Sequence, residues 1–158
     1  MSLRATPVYR TRMDRHRPGG APASEPLSQV EKVLANAPFI ADLGITLVGS
    51  GPDWLETELH IVPRLRQQHG YVHAGVITTL ADHTAGGAAS ILIGSEQSVL
   101  TADFTVHLLR PASGELLRCR GEVVKAGKRL IVTQADVWDD KVHCGRYLGT
   151  MAVVDLAL

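Results

Sequence analysis

The sequence predicts an α+β fold, in which one long helix packs against an antiparallel sheet. A single segment, 73–92, carries apolar residues at helical spacing. Two strand-like segments precede it and four follow it, and short turns containing Gly, Pro or Asp separate neighbouring strands. Strands joined by such short turns pair as antiparallel hairpins. We therefore expect a mainly antiparallel sheet with the helix lying against it.

The predicted long helix has one apolar face and a second face without the usual solvated side chains. Asp82 is the only formal charge between Arg66 and Glu96, so we expect the second face to be covered. Gly86 and Gly87 would each cost a helix interior roughly 1 kcal/mol relative to Ala, which predicts close approach by a sheet or a ligand. The apolar face comprises Val76, Ile77, Leu80, Ala81, Thr84, Ala88 and Ile91, and the second face Thr78, Thr79, Asp82, Gly86, Ala89 and Ser90.

The other elements follow from turn signals and from alternation along the strands. In the second strand, Leu55, Thr57, Leu59 and Ile61 are expected on one side and Glu56, Glu58 and His60 on the other. The predicted elements are a short helix at 29–36 capped by Ser28 and ended by Pro38, a turn at 39–44, strands at 45–48 and 54–62, a polar loop at 63–72, the long helix, and strands at 98–110, 115–125, 129–138 and 143–154.

The chain has 158 residues, which suits a single domain with a substantial core. Its first part, 1–27, combines five arginines with a stretch rich in Pro, Gly and Ala and has no apolar periodicity, which predicts a disordered arm. A transit peptide is also Arg-rich, but this segment lacks the amphipathic helix of such peptides. The predicted folded domain is therefore 28–158.

Composition argues against several classes of function. The formal net charge is zero, so no nucleic-acid partner is expected. No apolar run reaches the roughly 18 residues that a membrane span needs. Cys119 and Cys144 lie far apart without the spacing of metal ligands, which favours reduced, buried thiols in a cytoplasmic protein.

Two motifs carry a resemblance to a known family. His73-Ala74-Gly75 followed by Asp82 resembles the His-Gly-Gly, six-residue gap, Asp signature of hotdog-fold acyl-CoA thioesterases of the phenylacetate-pathway type, with Ala74 where the family usually has Gly. The segment 101–112 resembles the family strand that ends in a Pro before a Gly-containing turn, and the similarity spans residues 36–155. The resemblance implies a hotdog fold, an antiparallel sheet wrapped around the helix, and hydrolysis of an acyl-CoA thioester to free acid and coenzyme A.

Asp82 is the first catalytic candidate, because a lone carboxylate on a charge-free face has either a role or a partner. Beside a thioester it would act as general base on a water or attack the carbonyl to form an anhydride, and both routes stay open. Ala74 and Gly75 stand at the predicted helix N-terminus, where unpaired main-chain amides would polarise the carbonyl. The resemblance assigns this donor to Ala74, makes Gln67 the amide that orients the water or contacts the carbonyl, and places Thr101 beside the carboxylate.

The remaining candidates concern substrate binding. His73 is expected to cap the helix beside Gly75, and cationic side chains in loops or at strand ends would hold the coenzyme A phosphates. No metal is expected, because no Cys or Glu completes a ligand set with His69 and His73, and no cofactor is expected beyond the coenzyme A of the substrate. The cationic candidates are Arg110, Lys128 and Arg129, with Arg64, Arg66 and Lys125 also available.

The second helix face needs a cover, and the resemblance implies that a second subunit supplies it. Ala74 and Gln67 of one chain would then face Asp82 and Thr101 of the other, and such dimers commonly pair into tetramers. Two alternatives remain open. One is a hotdog hydratase or dehydratase acting on acyl thioesters, although the His-Phe-Pro and Asp-x-Asn-x-x-His motifs are absent. The other is a non-catalytic acyl-CoA-binding module.

Overall fold

Six strands and one long helix form the part of the chain that a computed structural model describes, residues 37–156. The arm predicted at 1–27, the helix predicted at 29–36 and residues 157–158 lie outside the described residues. In chain order the elements are α1 (Pro38–Leu43), β1 (Ile45–Ser50), β2 (Trp54–His60), a 3-10 turn (Pro63–Leu65), α2 (Ala74–Ser90), β3 (Gln97–Leu108), β4 (Leu116–Lys125), β5 (Leu130–Asp139) and β6 (Val142–Asp155).

The strands form one sheet in the order β1-β2-β4-β5-β6-β3, and every neighbouring pair is antiparallel. The helix α2 packs against β2, β3, β4, β5 and β6, so the sheet covers it along much of its length. The predicted α+β arrangement of one long helix against an antiparallel sheet is therefore confirmed. The sheet leaves two edges, β1 at one end and β3 at the other.

Small residues let α2 lie unusually close to the sheet. A Cβ added at Gly121 of β4 would stand 2.7 Å from the backbone carbon and oxygen of Thr84 on α2, and a Cβ at Gly87 would collide with Leu55 of β2. The hydroxyl groups of Thr57 and Thr84 lie 2.6 Å apart in this interface, so both find a partner where no water can reach them. The predicted close approach to a sheet thus holds for Gly87.

Gly86 differs from its neighbour. A Cβ there would meet only the Cε atom of Met151, at 3.8 Å, which is ordinary contact. A methyl group would therefore fit at Gly86, where the sheet does not require the absence of a side chain. Ala89, on the second helix face that we expected to be covered, is fully buried.

One expectation from the turn patterns is wrong. The segment 39–44, predicted as a turn, is the helix α1, because Pro38 occupies its first turn, where a missing N–H costs nothing, and Gly44 ends it with φ of 85°.

Glu56, which alternation places on the opposite side of β2 from Leu55 and Leu59, is buried as well. Its Oε1 lies 2.6 Å from Nη1 of Arg120, and the Arg120 guanidinium stacks 4.1 Å above the ring of Trp54. Alternation alone does not reveal that a facing Arg neutralises a buried Glu.

Both cysteines are free and buried. Burial raises the pKa of the Cys144 thiol to about 11 and raises the pKa of Cys119 further, so both stay protonated at neutral pH. Within residues 37–156, no helix is both long enough and apolar enough to cross a membrane.

Substituting Gly121→Ala is expected to lower the free energy of unfolding by about 1–3 kcal/mol, because the new methyl group meets helix backbone that cannot move aside. Urea denaturation followed by circular dichroism measures the change. The matched control is Gly86→Ala, which adds the same methyl group where it makes only an ordinary contact with Met151 and should stabilise the protein by roughly 0.5–1 kcal/mol. Equal stabilities for the two variants would contradict the close packing of α2 on β4.

Candidate active site

Asp82 is held on α2 by hydrogen bonds from two different strands. The hydroxyl of Tyr147 on β6 donates to Oδ1 at 2.7 Å, and the hydroxyl of Thr101 on β3 donates to the same oxygen at 3.0 Å. Among residues 37–156, no hydrogen bond reaches the other oxygen, Oδ2. The structure thus brings the predicted Thr101 beside Asp82 and leaves one carboxylate oxygen available.

Tyr147 is the residue of this site that sequence reasoning missed. Its side chain is fully buried and stacks on Phe104 of β3, with ring centroids 5.6 Å apart. Burial raises the pKa of Tyr147 well above its usual range, and the hydrogen bond to Asp82 and that residue's charge raise it further. The phenol therefore stays protonated and acts as a donor. A Tyr at an inward position of a strand needs a hydrogen-bond partner for its hydroxyl, so the sequence could have marked Tyr147 as a candidate. It could not have identified Asp82 as that partner.

A groove of about 570 Å³ opens beside this carboxylate. His83 borders it with the Nε2 atom buried and, among the described residues, without a hydrogen-bond partner. Burial lowers the pKa of His83 and outweighs the opposing charge of Asp82, so a neutral imidazole adjoins the acid. The groove extends along the helix from Asp82, and its walls include Gly86, Ser90, Val99, Thr101 and Met151.

The N-terminus of α2 leaves one main-chain amide unpaired. His73 is the N-cap, as expected, and its Nδ1 accepts from the amide of Gly75 at 3.0 Å. The amide of Val76 donates to the carbonyl of His73 at 2.9 Å. Of the first three helix residues, only Ala74 keeps an amide without an acceptor among the described residues. The predicted donor Ala74 is thus available, whereas the Gly75 amide is occupied by the cap.

A second groove, of about 510 Å³, lies at this end of the helix. It is bordered by the predicted residues Gln67, His73, Ala74 and Arg110. The Oε1 atom of Gln67 accepts from the amide of His69 at 2.7 Å, so its NH₂ group stays free to donate to a ligand. Because Nδ1 of His73 is an acceptor, Nε2 carries the proton in the neutral ring. The second groove therefore presents hydrogen-bond donors and one guanidinium.

The loop at one wall of the second groove is tightly held. The amides of Ser113 and Gly114 both donate to Oδ2 of Asp139, at 2.8 and 3.0 Å. Arg66 donates to the carbonyls of Gly70, Ser113 and Gly114. This clamp fixes the chain that follows Arg110, whose Nη1 donates to the carbonyl of His143 at 3.2 Å.

Other cationic candidates lie elsewhere. Arg66 is used in the loop clamp, and Arg64 donates to the carbonyl of Asp42 at 2.6 Å, so both have structural partners. Lys128 and Arg129 are exposed in the turn between β4 and β5 and border neither groove. Within the described residues, no cluster of three or more His, Cys, Asp or Glu side chains could hold a metal ion.

Within one chain, the Asp82 carboxylate and the Ala74 amide cannot act on the same thioester carbonyl. Asp82 follows Ala74 by eight residues on α2, which places it about 12 Å further along the axis and about 80° around it. A general base and an oxyanion donor each act at about 3 Å from the reacting atoms. Each chain therefore carries two separated halves of the arrangement that the sequence predicted.

The edge strand β3, which carries Thr101, presents apolar side chains to solvent. Leu100, Phe104 and Leu108 are 58%, 45% and 51% exposed. On its outer side no strand of residues 37–156 pairs with β3, so a row of main-chain donors and acceptors is available. An exposed edge with apolar side chains is suited to pairing with another strand.

Comparisons with known proteins identify the family of this chain. The family model described as Thioesterase superfamily matches residues 69–145. A thioesterase family protein from Silicibacter pomeroyi is 33% identical, with a TM-score of 0.78 over 82% of this chain and 98% of that one. The 1,4-dihydroxy-2-naphthoyl-CoA hydrolase of Listeria monocytogenes is 25% identical over 100 residues, 63% of this chain and 77% of that protein.

A further solved structure is similar in fold. The PaaI protein from the phenylacetic acid degradation operon of E. coli has a TM-score of 0.75 at 16% identity, over 83% of this chain and 94% of that one. With the sheet order and the central helix, these similarities confirm the predicted hotdog fold and the predicted resemblance. The chain belongs to the hotdog-fold thioesterase superfamily and is a thioester hydrolase.

Proposed function

We propose that the protein hydrolyses an acyl-CoA thioester to the free acid and coenzyme A, in sites that two chains complete together. The observation that carries the proposal is the environment of Asp82, a carboxylate with one oxygen held by two hydroxyl groups and the other directed to no described partner. The name of the Listeria monocytogenes relative, a hydrolase of an aromatic acyl-CoA, supports this substrate class.

The chemistry needs only side chains and main-chain groups. As general base, Asp82 takes a proton from a water whose oxygen attacks the thioester carbonyl. The carbonyl oxygen becomes an oxyanion that the unpaired Ala74 amide stabilises at the positive end of the α2 dipole. The carbon–sulfur bond then breaks, and the thiolate of coenzyme A leaves and takes up a proton. In the alternative route Asp82 attacks the carbonyl itself, and water hydrolyses the resulting anhydride.

Two chains are needed because each chain separates the acid from the amide by about 12 Å. In the proposed dimer, Ala74 and Gln67 of one chain face Asp82 and Thr101 of its partner. The exposed edge of β3 supports this arrangement, since pairing there would bury its apolar side chains beside Thr101. Such dimers could pair again into tetramers through other surfaces.

The two grooves suggest how the substrate is divided. We place the acyl group in the groove beside Asp82, where Gly86 leaves space for it. The pantetheine arm of the acyl-CoA then passes Ala74 and enters the second groove. Arg110 is the cationic side chain at that groove that is available for a coenzyme A phosphate. Lys128 and Arg129 remain predicted phosphate ligands that border neither groove.

Substituting Asp82→Asn is expected to lower kcat for an acyl-CoA by about 10²- to 10⁴-fold, because the amide cannot accept the proton or attack the carbonyl. Release of free thiol measures turnover, and circular dichroism checks folding. Asp53→Asn, an exposed carboxylate in the turn between β1 and β2, is the matched control and should retain full activity. Wild-type turnover by the folded Asp82→Asn variant would refute the proposal.

Substituting Ala74→Pro tests the main-chain donor directly. Proline lacks an N–H but is tolerated at the first position of a helix, and His73 already has the extended conformation that a following Pro requires. We expect kcat to fall by about 10²- to 10³-fold with the fold intact. Ala74→Gly, which keeps the amide, should keep the activity. Equal activity of the Pro and Gly variants would exclude the amide as the oxyanion donor.

Complementation tests whether two chains share a site. The Asp82→Asn and Ala74→Pro variants should each be inactive, whereas a refolded equimolar mixture should regain about a quarter of wild-type activity, since half of the random dimers contain one intact site out of two. Thiol release from the mixture and from each variant alone gives the comparison. A mixture no more active than its components would mean that each chain acts alone.

A further inference from the structure

Tyr147 has no role in the proposed chemistry, yet it makes the shorter of the two hydrogen bonds to Asp82. Thr101 donates from β3, an exposed edge strand whose pairing with β6 is irregular between Thr101 and Asp103. Tyr147 donates from β6, an inner strand paired on both sides, and its side chain is fully buried. Of the two donors, Tyr147 is therefore the one that the fold holds more rigidly.

The chain makes room for this hydroxyl group. A Cβ added at Gly149, two residues further along β6, would collide with the hydroxyl oxygen of Tyr147 and crowd its ring. Gly149 pairs with Thr133 on one side and with Phe104 on the other. The absence of a side chain at Gly149 is thus what allows the phenol to extend towards α2 and reach Asp82.

We infer that Tyr147 is a positioning residue for the thioesterase reaction, which holds Oδ1 of Asp82 so that Oδ2 faces the water or the carbonyl. This inference rests on the proposed function of Asp82. An aspartate attached to a helix can rotate about two side-chain bonds, and two donors on one oxygen stop that rotation. The reacting oxygen is then in place before substrate binds, which lowers the barrier by preorganisation.

Two titratable neighbours interact with this pair. His83 on α2 interacts with Asp82, and Asp103 on β3 interacts with Tyr147. The pKa of Tyr147 is raised, mainly by burial, so its hydroxyl stays protonated as a hydrogen-bond donor at neutral pH.

The test is Tyr147→Phe, which removes the hydroxyl and keeps the buried ring and its stacking on Phe104. We expect kcat to fall roughly tenfold or more, the effect of losing one hydrogen bond to a charged group, with KM unchanged. A second measurement needs no substrate. In ¹³C NMR spectra recorded at one neutral pH, the chemical shift of the Asp82 carboxyl carbon should differ between Tyr147→Phe and wild type, because Oδ1 has lost its shorter hydrogen bond.

Two further variants separate positioning from packing. Thr133→Val removes a buried hydroxyl from the neighbouring strand β5, one without a hydrogen-bond partner among the described residues, and should change neither kcat nor the chemical shift of the Asp82 carboxyl carbon. Gly149→Ala displaces the Tyr147 hydroxyl without altering that residue, so it should reproduce both effects of Tyr147→Phe.

Wild-type kcat and an unchanged Asp82 carboxyl chemical shift in folded Tyr147→Phe would overturn the inference while leaving the proposed function intact. If Asp82→Asn remained active, the proposed function would fall, and the positioning role with it, even though the carboxyl chemical shift in Tyr147→Phe would still report the contact. A loss of kcat in Tyr147→Phe that Thr133→Val matched would likewise overturn the inference, because the loss would then be one of packing.

Discussion

The site depends on the short distance between α2 and the sheet. At Gly121 the sheet comes so near that even a methyl group would meet the backbone of Thr84. At that separation the hydroxyl groups of Thr57 and Thr84 bond to each other across the interface, and the phenol of Tyr147 spans from β6 to the acid on α2. A wider gap, such as large side chains would produce, would place Asp82 out of reach of its donors. The glycines and alanines of this interface therefore support the chemistry as well as the packing.

A single helix supplies both functional groups of the proposed reaction, yet it cannot bring them together. Its first residue, Ala74, offers an amide because the N-cap residue His73 accepts a hydrogen bond from the amide of Gly75 and leaves the amide of Ala74 unpaired. Its ninth residue, Asp82, offers the carboxylate. Because the helix is regular, this carboxylate lies about 12 Å further along the axis and about 80° around it. Both groups gain precision from the same regular backbone. The cost of this precision is that a second copy of the helix is required wherever both groups must meet on one carbonyl.

Much of the fold could be predicted from the sequence, because periodicity reports directly on burial. The long helix, the strands and the turns between strands appear with boundaries shifted by one or two residues, as along β3 and β6. Asp82 was recognisable because it is the only charge in a long segment, and Ala74 because a helix start leaves amides unpaired. Both observations depend only on residues that are close together in the chain, so a single sequence is enough to make them.

The remaining parts of the site depend on contacts between distant positions. Tyr147 lies 65 positions from Asp82, and only the completed sheet order reveals that the two meet. The ion pair of Glu56 with Arg120 is also a cross-strand contact, so alternation along one strand could not predict it. The cationic candidates show the converse. Arg110, Lys128 and Arg129 look equivalent as residue types, and only the fold shows that the first borders a groove and the others do not.

The composition of β3 has a consequence beyond the reaction. Proteins commonly protect a solitary outer strand with lysine, proline or a covering loop, and β3 contains no Lys, Arg or Pro across Gln97–Leu108. A newly made chain would thus offer any nearby extended polypeptide a template of twelve residues for sheet growth. In the proposed dimer the partner would occupy that template, so self-recognition would also act as a safeguard against misassembly in the cell.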